Sequence, residues 1–150
     1  MPAIYEHHHE VLSEETDGVG HVNNLHYVKW MQDAAIAHAS VQGWPPARHI
    51  ELGSGWVVRS HFIEYLRPAF PGDRIIVRTW ISGFKRITSM RKYQIVRPAD
   101  ETLLATAETN WAYVTYDTHT PKRIPVEVIE SFQLVLPDQE PDSSRISRSL

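Results

Sequence analysis

Strand-like alternation of apolar and polar residues dominates the chain after residue 53, and one long stretch of helical period precedes it. "AIYEHHHEVL", residues 3–12, reads as an opening strand, and the glycine-punctuated segment from Asp17 to Asn24 as a loop. From Leu25 to about Val41 apolar residues recur at helical spacing, and Asn23 or Asn24 can cap the first turn with a side-chain oxygen. Gly43 and the Pro45-Pro46 pair end the helix. His26, Lys29, Asp33 and Ser40 share one narrow stripe, whereas Leu25, Tyr27, Val28, Trp30, Met31, Ile36 and four alanines take most of the circumference. Such a helix is expected to be mostly buried.

Four strands follow, at about 54–67, 74–82, 86–97 and 102–116, separated by "PGD", "SGFK" and "PADE". Their spacing predicts an antiparallel meander. "PKRIPVEVIESF", 121–132, carries a short helix after Pro125, while 137–150 has little to bury and reads as a loose tail beyond a folded unit of 1–136. One apolar helix between a first strand and a run of strands packs simply as α+β: a curved antiparallel sheet of about five strands wrapped around one long central helix. The sheet leaves edges that a second copy can cover, so a homodimer is the expected assembly.

At 150 residues the chain is one domain, with room for a single site. A net charge of -3 gives no general attraction to nucleic acid or an anionic membrane. The absence of cysteine excludes disulfides and thiol nucleophiles. With no signal peptide or long apolar run, the expected location is the cytoplasm.

The stretch D-x-x-G-H-V-N-N-x-x-Y, here Asp17, Gly20, His21, Val22, Asn23, Asn24 and Tyr27, resembles the active-site loop of hot-dog fold acyl-thioesterases of the 4-hydroxybenzoyl-CoA thioesterase-like family. The likeness continues through "YVKWMQDAA", "GWPP" and "EYLRPAFPGDRIIVRTWI" and covers roughly residues 4–132. It implies hydrolysis of an acyl-CoA or acyl-carrier thioester to free acid and thiol. No cofactor is required, because coenzyme A belongs to the substrate.

The chemistry asks for little. A thioester needs a carboxylate to attack it or to deprotonate water, and donors aimed at the developing oxyanion. By resemblance, Asp17 is the catalytic aspartate, as general base or nucleophile, and the Asn24 backbone N–H polarises the carbonyl at the positive end of the helix dipole. His21, where the hydroxybenzoyl-CoA enzymes carry an apolar residue, would orient Asp17 or a water. Gly20 admits close backbone approach; Asn23 caps; Tyr27 forms core or pocket wall. Family members place basic residues for the nucleotide phosphates at the turn holding Lys85 and Arg86, and Thr88 and Ser89 follow near the pantetheine arm. Because a hot-dog site lies between subunits of a homodimer or tetramer, these residues would serve the partner's loop.

Other features carry competing readings. Glu64, on a strand rather than on the helix, is expected to pair with Arg59 or Arg67. His7 and His9 share a strand face with chelating spacing but lack an evident third ligand, so they are read as solvent-facing and no metal is expected. His26 and Asp33, seven apart, are the residues a hot-dog dehydratase reading would use. An acyl-CoA binding or regulatory domain without turnover is a further alternative, disfavoured by the presence of Asp17. Trp30, Met31, Trp56, Phe62, Trp80 and Met90 are candidates for lining an acyl pocket.

Overall fold

A computed structural model describes residues 3–16, 20 and 22–141. Five strands, β1 (Tyr5–Glu10), β2 (Ser54–Tyr65), β3 (Arg74–Phe84), β4 (Thr88–Arg97) and β5 (Thr102–Thr115), form one antiparallel sheet in the order β1-β3-β4-β5-β2. The sheet packs on a long helix, α1 (Asn24–Val41), which is the arrangement that the resemblance implies. A second helix, α2 (Pro46–Leu52), starts at the proline pair that ends the first, since proline is tolerated in a first turn. A third, α3 (Val126–Glu130), follows Pro125.

The expected four-strand meander is only three strands long. β3, β4 and β5 follow one another, but β2 pairs with β5, from Ser54 opposite Thr115 to Tyr65 opposite Ala105. The eight residues from Leu66 to Asp73 are too many for a tight hairpin. Instead Leu66 and Arg67 still donate to the Leu104 carbonyl, and the chain then passes the start of α1, where Ala69 is fully buried and its carbonyl accepts from Val22 N–H at 3.1 Å.

The helix face against the sheet is Tyr27, Trp30, Met31, Ala34, Ala35 and His38. Trp30 and Met31 are 1% and 0% exposed, and burying each contributes roughly 2–3 kcal/mol. The expectation of a mostly buried helix holds for one face only in the single chain. Leu25, Ile36 and Val41 remain 76%, 46% and 46% exposed, because the sheet reaches one side only. Along β4 the inward residues are Ser89, Arg91, Tyr93 and Ile95, all buried.

Residues 137–141, the start of the segment read as a tail, lie on the opposite sheet face. Glu140 accepts from Lys92 Nζ at 3.0 Å and from Trp80 Nε1 at 3.2 Å, and the Pro141 carbonyl accepts from Gln94.

Candidate functional site

The polar loop before α1 is pinned at its feet. Thr16 and Val22 form an antiparallel bridge, and Asn23 N–H donates to the Glu15 carbonyl at 2.9 Å. The side chain of Asn23 caps α1, its Oδ1 accepting from Leu25 N–H at 3.0 Å. That leaves the N–H of Asn24, the first helical residue, with no acceptor among the described residues. An exposed N–H at the positive end of an 18-residue helix is a ready donor for an incoming oxyanion. Gly20 adopts a φ of +85° with open space around it, a conformation that favours glycine. Asp17 and His21 lie outside the described residues.

A second carboxylate, not singled out from the sequence, braces this corner. Glu15 is 7% exposed and accepts from Leu12 N–H at 2.8 Å and Trp30 Nε1 at 2.8 Å, with His9 Nε2 at 2.9 Å. Burial pushes its carboxyl up, but the Leu12 N–H, His9 and Trp30 together outweigh burial and hold it below the ordinary carboxylate value. His26 Nδ1 lies 3.8 Å from the same carboxylate. Tyr27 is buried against Trp30 and Tyr65, and burial raises its hydroxyl above the usual phenol value. The Tyr65 hydroxyl donates to the Asn24 carbonyl.

The other predicted residues gather at the opposite end of the molecule. Lys85 and Arg86 are exposed on the turn after β3, whose backbone is fixed by Lys85 N–H to Thr88 O and Ile124 N–H to Arg86 O. Thr88 is half-buried, and Ser89 is buried and lines a cavity of about 250 Å³ between α1, α2 and the sheet. Trp44, Trp56, Trp111, Tyr116 and Phe132 supply much of its wall, and Arg91 and His49 its polar groups. Within one chain the two clusters stay apart. Asn24 and Ala35 are separated by about 16 Å of helix, and Tyr65 and Trp56 by about 30 Å of strand.

The remaining candidates fall elsewhere. Glu64 points to the outer sheet face and makes no ion pair among the described residues, so the expected pairing with Arg59 or Arg67 is absent. His7 and His9 are turned toward α1 rather than solvent, because β1 pairs with β3 with its odd-numbered residues facing inward; His9 packs on Trp30. His26 and Asp33 are not partnered: Asp33 binds Lys29 at 2.9 Å. Trp30 and Met31 are core, Trp80 is buried on the outer face, Phe62 is 52% exposed, and Trp56 alone of the six aromatic and methionine candidates lines the cavity. Arg91 was legible in principle, as a charged residue at an inward position between Ser89 and Tyr93.

A family model described as the thioesterase-like superfamily matches residues 11–132. A putative acyl-CoA thioesterase, YneP of Bacillus subtilis (strain 168), is 29% identical over 92 residues, 61% of this chain and 67% of that protein. Among solved structures, a DHNA-CoA thioesterase from Staphylococcus aureus superposes with a TM-score of 0.76 at 25% identity over 80% of both chains. Slr0204 from Synechocystis, a 1,4-dihydroxy-2-naphthoyl-CoA thioesterase, gives a TM-score of 0.80 at 20% identity over 85% of this chain and 94% of its own, a likeness of fold.

Proposed function

This chain belongs to the thioesterase-like superfamily of hot-dog proteins, and from that premise we propose that it hydrolyses acyl-CoA thioesters with Asp17 as general base. The observation that carries the reading is the Asn24 N–H at the start of α1, which has no acceptor among the described residues, beside the pinned feet of the loop that holds Asp17. In this reading Asp17 takes a proton from water as its oxygen bonds to the thioester carbon. The Asn24 N–H steadies the oxyanion, the C–S bond breaks as the oxyanion collapses to the acid, and the coenzyme A sulfur takes the proton from Asp17 and leaves as the thiol. His21 orients the carboxylate or the water.

Lys85 and Arg86 would meet the nucleotide phosphates, and Thr88 and Ser89 the pantetheine arm. Their separation from α1's start within one chain supports a site shared by two copies. β2 is a 12-residue edge strand, and an antiparallel β2–β2 pair lays the first half of one strand beside the second half of the other. The cavity and basic turn at Trp56 then adjoin the partner's helix start at Tyr65.

The test is thiol release from short, long and aromatic acyl-CoAs by wild type and Asp17→Asn, with folding and assembly state checked. Turnover by wild type and a loss of at least about a hundredfold in the variant, roughly 2.7 kcal/mol of barrier, is the expected result. Binding without thiol release would instead support an acyl-CoA binding domain.

A further inference from the structure

Arg91 is a buried cation with no counter-charge among the described residues. It is 5% exposed on the inward face of β4, and no carboxylate among the described residues lies within ion-pair distance. Its Nη1 serves Thr79 Oγ1 at 3.0 Å and His38 Nδ1 at 3.0 Å, which uses both hydrogens on that nitrogen. The Nε–Nη2 edge, the fork that grips a carboxylate by two parallel hydrogen bonds, has no acceptor among the described residues. Burial lowers this guanidinium to about 10, so it stays charged at neutral pH.

Buried charges are ordinarily paired, because taking an ion out of water is costly. Here Arg91 lines a cavity whose remaining walls are mostly aromatic and aliphatic. Two residues of the cavity wall carry further unanswered polar atoms: the indole N–H of Trp111 and Nε2 of His49 have no partner among the described residues, and His49, 4% exposed, has its other ring nitrogen 3.3 Å from the Tyr113 hydroxyl. Apolar walls with a few converging polar groups describe a small-molecule site. A lone arginine at its end describes what that molecule must carry.

We infer that the cavity receives the acyl group of the substrate and that Arg91 selects acyl groups bearing a second carboxylate, distal to the thioester. The apolar body of such an acyl group lies among Trp44, Trp56 and Trp111, and its carboxylate meets the free edge of Arg91. A neutral acyl group of the same size leaves the cation desolvated and unanswered, which is how a site built around a buried polar group rejects an analogue lacking the partner. The inference rests on the thioesterase reading for the thioester end only.

Two matched pairs test it: 4-carboxybenzoyl-CoA against 4-methylbenzoyl-CoA, and adipoyl-CoA against hexanoyl-CoA. Wild type is expected to favour the carboxylated member of at least one pair by tenfold or more in kcat/KM. Arg91→Met should reduce that ratio by about tenfold or more, to near one, and Arg91→Lys by less. Binding of free terephthalate and of uncharged 4-methylbenzamide to wild type, followed by quenching of tryptophan fluorescence, gives a readout that needs neither turnover nor a folded variant. Preference for the uncharged member in both pairs and in binding overturns the inference while hydrolysis stands. Tight, selective terephthalate binding with no ester hydrolysed supports the cavity and removes the thioesterase reading.

Discussion

Trp30 donates its indole N–H to Glu15 Oε2 at 2.8 Å, tying the middle of the buried face of α1 to the residue from which the polar loop departs. The same carboxylate holds Leu12 N–H and meets His9, so it joins β1, the loop and the helix at one point. Replacing it with alanine leaves a buried indole N–H and a backbone N–H without an acceptor. Glu15→Ala is therefore expected to lose about 2–4 kcal/mol of unfolding free energy in urea titration. Because the folded carboxyl sits below its ordinary value of 4.5, this contribution is present above about pH 4.5 and fades as pH falls further. Glu15→Gln should remove that acid-side slope, and an unchanged slope would assign it to other carboxylates.

Histidine burial acts in a separate pH window. His7, His49 and His61 are all held below the ordinary imidazole value of 6.5, in each case chiefly by burial. A base whose folded value is lowered takes up a proton on unfolding below pH 6.5, so its stabilisation is present above that value and is lost as pH falls. The urea midpoint is expected to drop between pH 7.5 and 5.5, before Glu15 begins to titrate. His49→Gln should flatten the drop; a pH-independent midpoint across that range would contradict this account.

Gly55 shows how closely the cavity wall is fitted. A Cβ at this position would overlap the Tyr116 hydroxyl and lie 2.7 Å from Tyr116 Cζ and 2.9 Å from His49 Cβ. Tyr116 and His49 both line the cavity, so Gly55→Ala must displace part of its wall. The expected cost is about 1–3 kcal/mol of stability, as for other overpacked sites, with KM raised more than kcat is lowered. Thermal melting and steady-state kinetics on one preparation measure both effects.

The elements themselves were largely legible in the sequence. Helical period over 25–41, strand alternation after 53 and Pro125 before a short helix each reflect local chemistry, and the structure places α1, β2–β5 and α3 there. Strand order was not, because which edge β2 joins depends on the path of residues 66–73 beneath α1, a tertiary fact without a local signature. The helix also misled. Its apolar circumference suggested that most of it is buried, yet Leu25 and Ile36 are exposed in the single chain, since composition reports apolar surface without saying which molecule covers it. At the site, the Asn23 cap was readable from helix-start chemistry. Glu15 and Arg91 were missed because each matters through partners distant in sequence: Trp30 for one, Thr79 and His38 for the other.

Sharing of the site between copies can be tested by mixing two damaged proteins. One carries Asp17→Asn, the other Lys85→Ala with Arg86→Ala, and each alone is expected to be strongly impaired. If one copy supplies Asp17 and its partner supplies the basic turn, a mixed dimer has one site with every replacement and one with none. Random re-association of equal amounts puts half the dimers in the mixed form, so activity should recover to about a quarter of wild type. A site contained within one chain predicts no recovery, because every site in every dimer would then carry one of the two defects. The 12-residue edge strand β2 and the roughly 16 Å of helix between Asn24 and the cavity-lining Ala35 favour the first outcome. Disrupting that edge with Ser60→Pro should abolish both the recovery and the dimer, as read by sedimentation.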